Sequence, residues 1–186
     1  MIILGIGHKA RHGKDTAANA ILDYYGVRND LCLKHDLPKY SIVHVQRIGF
    51  ADALYEMARN EYGMKEKDSV LLQRLGSEKR AEDPDYWVNR LATRISSTTD
   101  ILVIPDTRYR NEAAWIKAAG GYVLKITRLN ADGTPFVDPS RPADHPSEID
   151  LENYRFDFEW KISDGHQALT GELAVTLVEY LRGLHK

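Results

Sequence analysis

Ten residues near the amino terminus, Gly7-His8-Lys9-Ala10-Arg11-His12-Gly13-Lys14-Asp15-Thr16, group small and cationic side chains in a way that suits a polyphosphate. A loop of this kind wraps phosphate oxygens with backbone N–H groups. A following helix adds the positive end of its dipole, and a lysine reaches the terminal phosphates. Lys14 is the candidate lysine, and His8, Lys9, Ala10, Arg11, His12, Gly13, Asp15 and Thr16 complete the phosphate-binding set. The usual spacing puts a glycine five residues before the Gly-Lys pair and a Ser or Thr after the lysine. Here His8 stands at the glycine position, with Gly7 one residue earlier, and Asp15 follows the lysine. Magnesium would therefore meet the Asp15 carboxylate, directly or through water, with the Thr16 hydroxyl nearby. The alternative is a basic surface turn, and for His12 solvation is as good a reading as phosphate contact.

A second set of chemistry-bearing residues lies downstream. Asp106 and Arg108 follow the apolar run Ile101–Pro105. A carboxylate there can hold or orient magnesium or accept the acceptor's proton, and an arginine fork can neutralise phosphate charge in transit. The competing reading is an Asp that starts a helical turn, with Arg108 as its ion-pair partner. Arg128 ends the next apolar run. Lys14, Asp106, Arg108 and Arg128 are the catalytic candidates, and Asp15 and Asp106 the candidate metal ligands. Arg74, Arg80 and Trp87 could stack a base and grip a monophosphate, although helical spacing equally permits Trp87 to be core. Asp144-His145-Pro146-Ser147-Glu148 puts a histidine beside carboxylates, and Asp144, His145 and Glu148 join Arg74, Arg80 and Trp87 as acceptor-binding candidates. One histidine without regular ligand spacing is weak evidence for zinc, and a lid hinge or a helix start at Ser147 serves as well.

The elements that must position these residues follow from hydrophobic periodicity. Ile2–Ile6 reads as a buried strand, and Lys14 to Tyr25 as a helix stopped by Gly26. Residues 27–41 read as a connection and Ile42–Ile48 as a strand. Asp52 is expected to cap a helix running to about Tyr62, with further helices at about 69–80 and 84–97. Ile101–Ile104 has the continuous apolar character of a central parallel strand. A helix at about 110–119, a strand Tyr122–Thr127, a strand Phe156–Ile162 and a helix Gln167–Leu184 complete the pattern. Strands alternating with helices indicate an α/β fold whose parallel sheet, of about five strands, carries helices on both faces. Ligands then bind at the carboxyl ends of the strands. The strand, loop and helix around Lys14 form the context of a P-loop, and so predict a three-layer P-loop NTPase fold. A helical acceptor-binding insertion spans about 52–98 and a lid about 129–150, because a long proline-rich connection is usually functional.

Composition sets the outer limits. The chain has 186 residues, suited to one domain, and 43% hydrophobic with 28% charged residues is the balance of a soluble globular protein. A formal net charge of -2 supplies no global drive toward nucleic acid. The single cysteine, Cys32, excludes an internal disulfide and fits a reduced, cytoplasmic setting. The apolar start is too short for a signal peptide or membrane span.

With these residues in place, the chain resembles the deoxynucleoside monophosphate kinases of tailed bacteriophages. The likeness runs through Gly13-Lys14-Asp15-Thr16, Phe50-Ala51-Asp52-Ala53-Leu54, Leu72–Ser77 and Tyr86-Trp87-Val88. It continues through Ile104-Pro105-Asp106-Thr107-Arg108 with Glu112 and Gly120, then Val123–Arg128, Asp144–Glu148 and Ile162-Ser163-Asp164-Gly165. The resemblance implies ATP with magnesium (Mg2+) and a deoxynucleotide acceptor. It implies donor-phosphate and metal binding by Lys14, Asp15 and Thr16, transfer-step roles for Asp106 and Arg108, and a nucleotide contact for Arg128. Some phage kinases similar to this group instead phosphorylate the hydroxymethyl group of 5-hydroxymethyluracil in DNA. The expected partners are therefore ATP and a deoxynucleotide, with DNA as the polymeric alternative and a homodimer left open. No membrane is expected, and the setting would be host cytoplasm if the chain is phage-encoded. A non-catalytic nucleotide-binding module is the third reading, disfavoured by the Asp106-Arg108 pair and the lid-like loop.

Overall fold

The structure is a computed structural model that describes residues 1–7, 9–38, 41–139 and 144–184. His8 and residues 140–143 of the expected lid lie outside the described residues.

Five parallel strands form one sheet in the order β2-β3-β1-β4-β5. They are β1 (Ile2–Gly7), β2 (Val45–Arg47), β3 (Ile101–Ile104), β4 (Tyr122–Arg128) and β5 (Phe158–Ile162). Helices α1 (Lys14–Lys34), α2 (Asp52–Asn60), α3 (Ser69–Glu82), α4 (Tyr86–Ala92), α5 (Arg110–Ala118), α6 (Pro146–Ile149) and α7 (Leu169–Leu184) fill the connections. The registers Ile2↔Ile101 and Leu4↔Tyr122 place β1 between β3 and β4. All six β1 residues are buried, as expected of a strand covered on both faces.

Period-two alternation divides the core into the two outer layers of an α/β sandwich. Ile2, Leu4, Ile6, Val103 and Leu124 pack with Ala17, Ile21 and Tyr25 of α1 and with Ala174, Val178 and Leu181 of α7. Ile3, Leu102, Ile104 and Val123 face the other way, onto Ala53 and Met57 of α2, Trp87 and Leu91 of α4, and Ala113 and Ile116 of α5. A smaller apolar cluster of Ala58, Met64, Leu72 and Leu75 joins α2 to α3. The three-layer α/β architecture with helices on both faces is thus present. Among the described residues no helix is long and apolar enough to cross a membrane.

Two expectations are corrected. α1 continues past Gly26 for two more turns. Gly26 costs about 1 kcal/mol relative to alanine inside a helix, but long-range bonds outweigh it. The Asn29 amide donates to the Val43 carbonyl at 2.8 Å and accepts the Val43 N–H at 3.0 Å, and Arg28 donates to the Ser41 carbonyl. Residues 27–34 are therefore helix rather than connection, and the following strand shortens to Val45–Arg47. The second correction concerns α2, which Asp52 does not cap. Its carboxylate accepts the Gly49 N–H at 2.7 Å, while the Phe50 and Ala51 N–H groups are taken by Asp106, far away in sequence.

Candidate functional site

Each strand delivers a polar or charged group to the carboxyl rim. β1 leads into the Lys9–Lys14 loop, β2 ends on Arg47, β3 is followed by Asp106 and Arg108, β4 ends on Arg128, and β5 leads to Asp164 and Gln167. A cleft of about 280 Å³ opens there, lined by Arg11, Gly13, Lys14, Asp15, Thr16, Arg128, Ile162, Gln167 and Thr170, with His12 in its wall. A larger depression, about 580 Å³, lies between α1 and β2, but among the described residues no lysine, arginine, aspartate or glutamate lines it. The charged side chains of the rim gather at the smaller one.

The loop that precedes α1 owes its shape to two left-handed residues, Arg11 at φ 57° and Gly13 at φ 91°. Glycine adopts that region freely, whereas an arginine there is uncommon and depends on its surroundings. Left-handed residues in a tight loop can bring successive N–H groups onto one side of the chain. Gly13 occupies the N-cap of α1 and offers no side-chain cap. The first N–H groups of a helix lack intrahelical acceptors. Those of Lys14, Asp15 and Thr16 have no acceptor among the described residues, and only the fourth, at Ala17, returns to the Gly13 carbonyl. The start of α1 is thus a set of oriented donors with the positive end of the helix behind it.

Lys14 is 6% exposed, and its Nζ donates back to the Lys9 carbonyl. Burial, with the Arg108 guanidinium adding repulsion, lowers its pKa to about 7. Glu148, Asp15 and Asp106 act on it in the opposite sense, so all four groups share its electrostatic neighbourhood. Arg108 donates to Glu148 Oε1 at 2.6 Å, and Glu148 Oε2 accepts the Ala10 N–H at 3.2 Å. Asp15 stays exposed and pairs with Arg47 at 2.5 Å.

Asp106 turns both carboxylate oxygens toward α2, accepting Phe50 N–H at 2.9 Å and Ala51 N–H at 2.8 Å. Gly49 allows this closeness, because a Cβ there would meet Asp106 Oδ2 at 2.7 Å. Burial raises the Asp106 pKa, and the two N–H bonds oppose the shift. Among the described residues no group of three or more His, Cys, Asp or Glu side chains is placed to hold a metal. Magnesium seldom needs such a group, since it is commonly bound by one or two carboxylates with substrate phosphates completing its shell.

His12 is 4% exposed and belongs to the wall rather than to solvent. Its Nε2–H donates to the Phe136 carbonyl at 3.0 Å and its Nδ1 takes the Arg128 N–H at 3.3 Å, with the Ile126 carbonyl 3.1 Å from that nitrogen. Burial lowers its pKa below the ordinary value, against the pull of the two carbonyls. The Arg128 guanidinium lies over the Phe136 ring at 4.7 Å and donates to Asp164 at 3.3 Å.

The expected acceptor residues are placed differently. Trp87 is 2% exposed within the core, its Nε1–H donating to the Gly76 carbonyl at 3.3 Å, so its ring is covered by protein and not open to a base. Arg80 stacks 3.9 Å over Tyr109 and pairs with Glu112 at 3.2 Å. Arg74 pairs with Glu78 on the exposed face of α3. His145 begins α6, its Nδ1 taking the Ser147 N–H, which matches the helix-start alternative; Asp144 is exposed.

Sequence reasoning passed over Arg47 and gave Glu112, named only in the family likeness, no role at this rim. Arg47 reaches Asp15, and the only signal for it was its place at the end of a strand on the same edge. Glu112, 1% exposed, accepts the Arg108 and Tyr109 N–H groups at 2.8 and 3.1 Å and thereby holds the backbone under Arg108. Buried Nε atoms of Arg47 and Arg128 have no partner among the described residues, and such donors call for an explanation. Comparison with protein-family models and with curated proteins returns no match.

Proposed function

We propose that the chain is an ATP-dependent kinase that transfers the γ-phosphoryl group to a deoxynucleoside monophosphate. The observation that carries this reading is the buried Lys14 ammonium at the start of α1, within the field of Arg108, together with three N–H groups that have no acceptor among the described residues. A polyphosphate answers all of them at once, and few other ligands would. In this reading the donor's phosphates lie against Gly13–Thr16, with Lys14 on the terminal phosphates. The nucleoside extends along the cleft toward Arg128 and Gln167, which line it. Asp15, exposed at the cleft, would meet magnesium carried in on the triphosphate; the ion would supply charge neutralisation to the phosphate oxygens. Asp106 and Arg108 serve from the next strand end, Arg108 by offsetting phosphate charge in transit.

No covalent intermediate with the protein is required. Positioning and charge neutralisation account for the rate. The acceptor assignment draws on the family resemblance and on the absence of an overall positive charge that would gather DNA.

The test is transfer of label from radiolabelled ATP, offered to the deoxynucleoside monophosphates in one set and to 5-hydroxymethyluracil-containing DNA in another. Label in a mononucleotide is expected. Label in DNA alone would replace the acceptor while keeping the kinase, and no label in either would remove the kinase.

A further inference from the structure

Three consecutive residues of the loop before α1 are each met by a carboxylate from later in the chain. Lys9 Nζ pairs with Glu152 at 3.0 Å, the Ala10 N–H donates to Glu148 at 3.2 Å, and Arg11 Nε stands 3.4 Å from Asp138. The second oxygen of Glu148 takes Arg108 at 2.6 Å. Glu148 is 6% exposed and Asp138 8%, so neither carboxylate is there merely to be solvated. A buried carboxylate needs charged or N–H partners, and Glu148 has found its own among groups that the proposed function assigns to phosphate.

We propose that Glu148, seconded by Glu152 and Asp138, is a built-in competitor for the anion cradle. Its carboxylate holds the Ala10 N–H and Arg108 until nucleotide phosphates displace it. Nucleotide affinity is then set by an exchange of one anion for another. The proposal rests on the polyphosphate reading of the loop and adds its regulation.

The physical case has two parts. First, the Arg108 charge acts unfavourably on the buried Lys14, and the Glu148 carboxylate, bonded to Arg108, offsets that repulsion at Lys14. Second, the exchange is like for like, because a phosphate oxygen accepts from the same N–H and the same guanidinium that a carboxylate oxygen does. Only the conformation in which Glu148 has left is competent to bind. The apparent dissociation constant therefore exceeds the intrinsic one by the reciprocal of that conformation's population. Anions with several phosphate groups can overcome the competitor, whereas a single phosphate offers fewer contacts with which to do so.

The experiment is calorimetric titration of the full chain with magnesium ATP, comparing wild type with Glu148→Gln and Glu152→Gln. Glu148→Gln keeps the size of the side chain and removes its charge, and should bind about tenfold more tightly. Glu152→Gln breaks an exposed pair and should tighten binding by about twofold. Equal or weaker binding by Glu148→Gln, with wild type still binding, would overturn the competitor and leave the polyphosphate reading intact. No binding by any of the three would overturn both. If Glu148→Gln does not fold, hydrogen exchange on wild type decides. The amides of Glu148 and Asp150, which donate to His145 and Pro146, should exchange faster with magnesium ATP present, and unchanged or slower exchange would overturn the proposal.

Discussion

The loop half of the rim and the helical half hold their charges in opposite ways. At Lys14–Thr16 the first three backbone donors of α1 have no acceptor among the described residues, and Lys14 is buried where the Arg108 charge repels its own. On α3 and α4 every expected contact is answered inside the fold: Arg80 by Glu112 and Tyr109, Trp87 by Gly76, Arg74 by Glu78. Residue type alone made both halves look like ligand sites. The contrast teaches that backbone donors left without acceptors point to a ligand, whereas Arg80, with the buried Glu112 beneath it, ties α3 to α5.

The comparison breaks most visibly at Lys14. Lys14→Ala should lower phosphoryl transfer by on the order of a thousandfold in the label assay while the far-ultraviolet circular dichroism stays native. Trp87→Ala should act on the fold instead, costing about 3–5 kcal/mol in urea unfolding. Below its unfolding midpoint that variant should still bind magnesium ATP; lost ATP binding in a folded Trp87 variant would merge the two halves. Glu112→Ala leaves Arg80 and two N–H groups without their acceptor and should cost about 2–4 kcal/mol, since Arg80 keeps some contact with water.

A pH series of unfolding free energies sharpens the contrast, because the two halves titrate with opposite sign. Burial lifts the Glu112 pKa from 4.5 to about 7. Between those values the folded chain holds a proton that the unfolded chain has lost, so the Glu112 contribution falls as pH rises. Lys14 is lowered from 10.5 to about 7. Across that window the unfolded chain holds the extra proton, so stability recovers as pH rises. The two groups together predict a dip near neutrality. Glu112→Gln should flatten its acidic side and Lys14→Met its alkaline side. The smallest effect is expected at Arg74: Arg74→Ala removes an exposed i,i+4 pair worth about 0.3–0.5 kcal/mol, and an unchanged acceptor KM would separate it from the site.

Much of the fold was legible because its signals are local. Ile101–Ile104 and Tyr122–Arg128 declared themselves by apolar runs, and the donor loop by its place between strand and helix. What was illegible depends on partners distant in the chain. The length of α1 is decided by Asn29 meeting Val43, and the start of α2 by Asp106 reaching Phe50 and Ala51. The acids that meet Lys9, Ala10 and Arg11 come from positions 138 to 152, where no periodicity could announce them. Trp87 was ambiguous for another reason, since an aromatic at helical spacing looks the same whether it faces a core or a base.

The most direct measurement is calorimetric titration of wild type and Lys14→Ala with magnesium ATP at pH 8. With its pKa near 7, Lys14 is largely neutral there and should take up a proton as phosphates arrive. The wild-type binding heat should therefore change with the ionisation enthalpy of the buffer, and Lys14→Ala should give no binding. Equal binding by both proteins, or no binding by wild type, would contradict the assignment of the cleft to a nucleoside triphosphate.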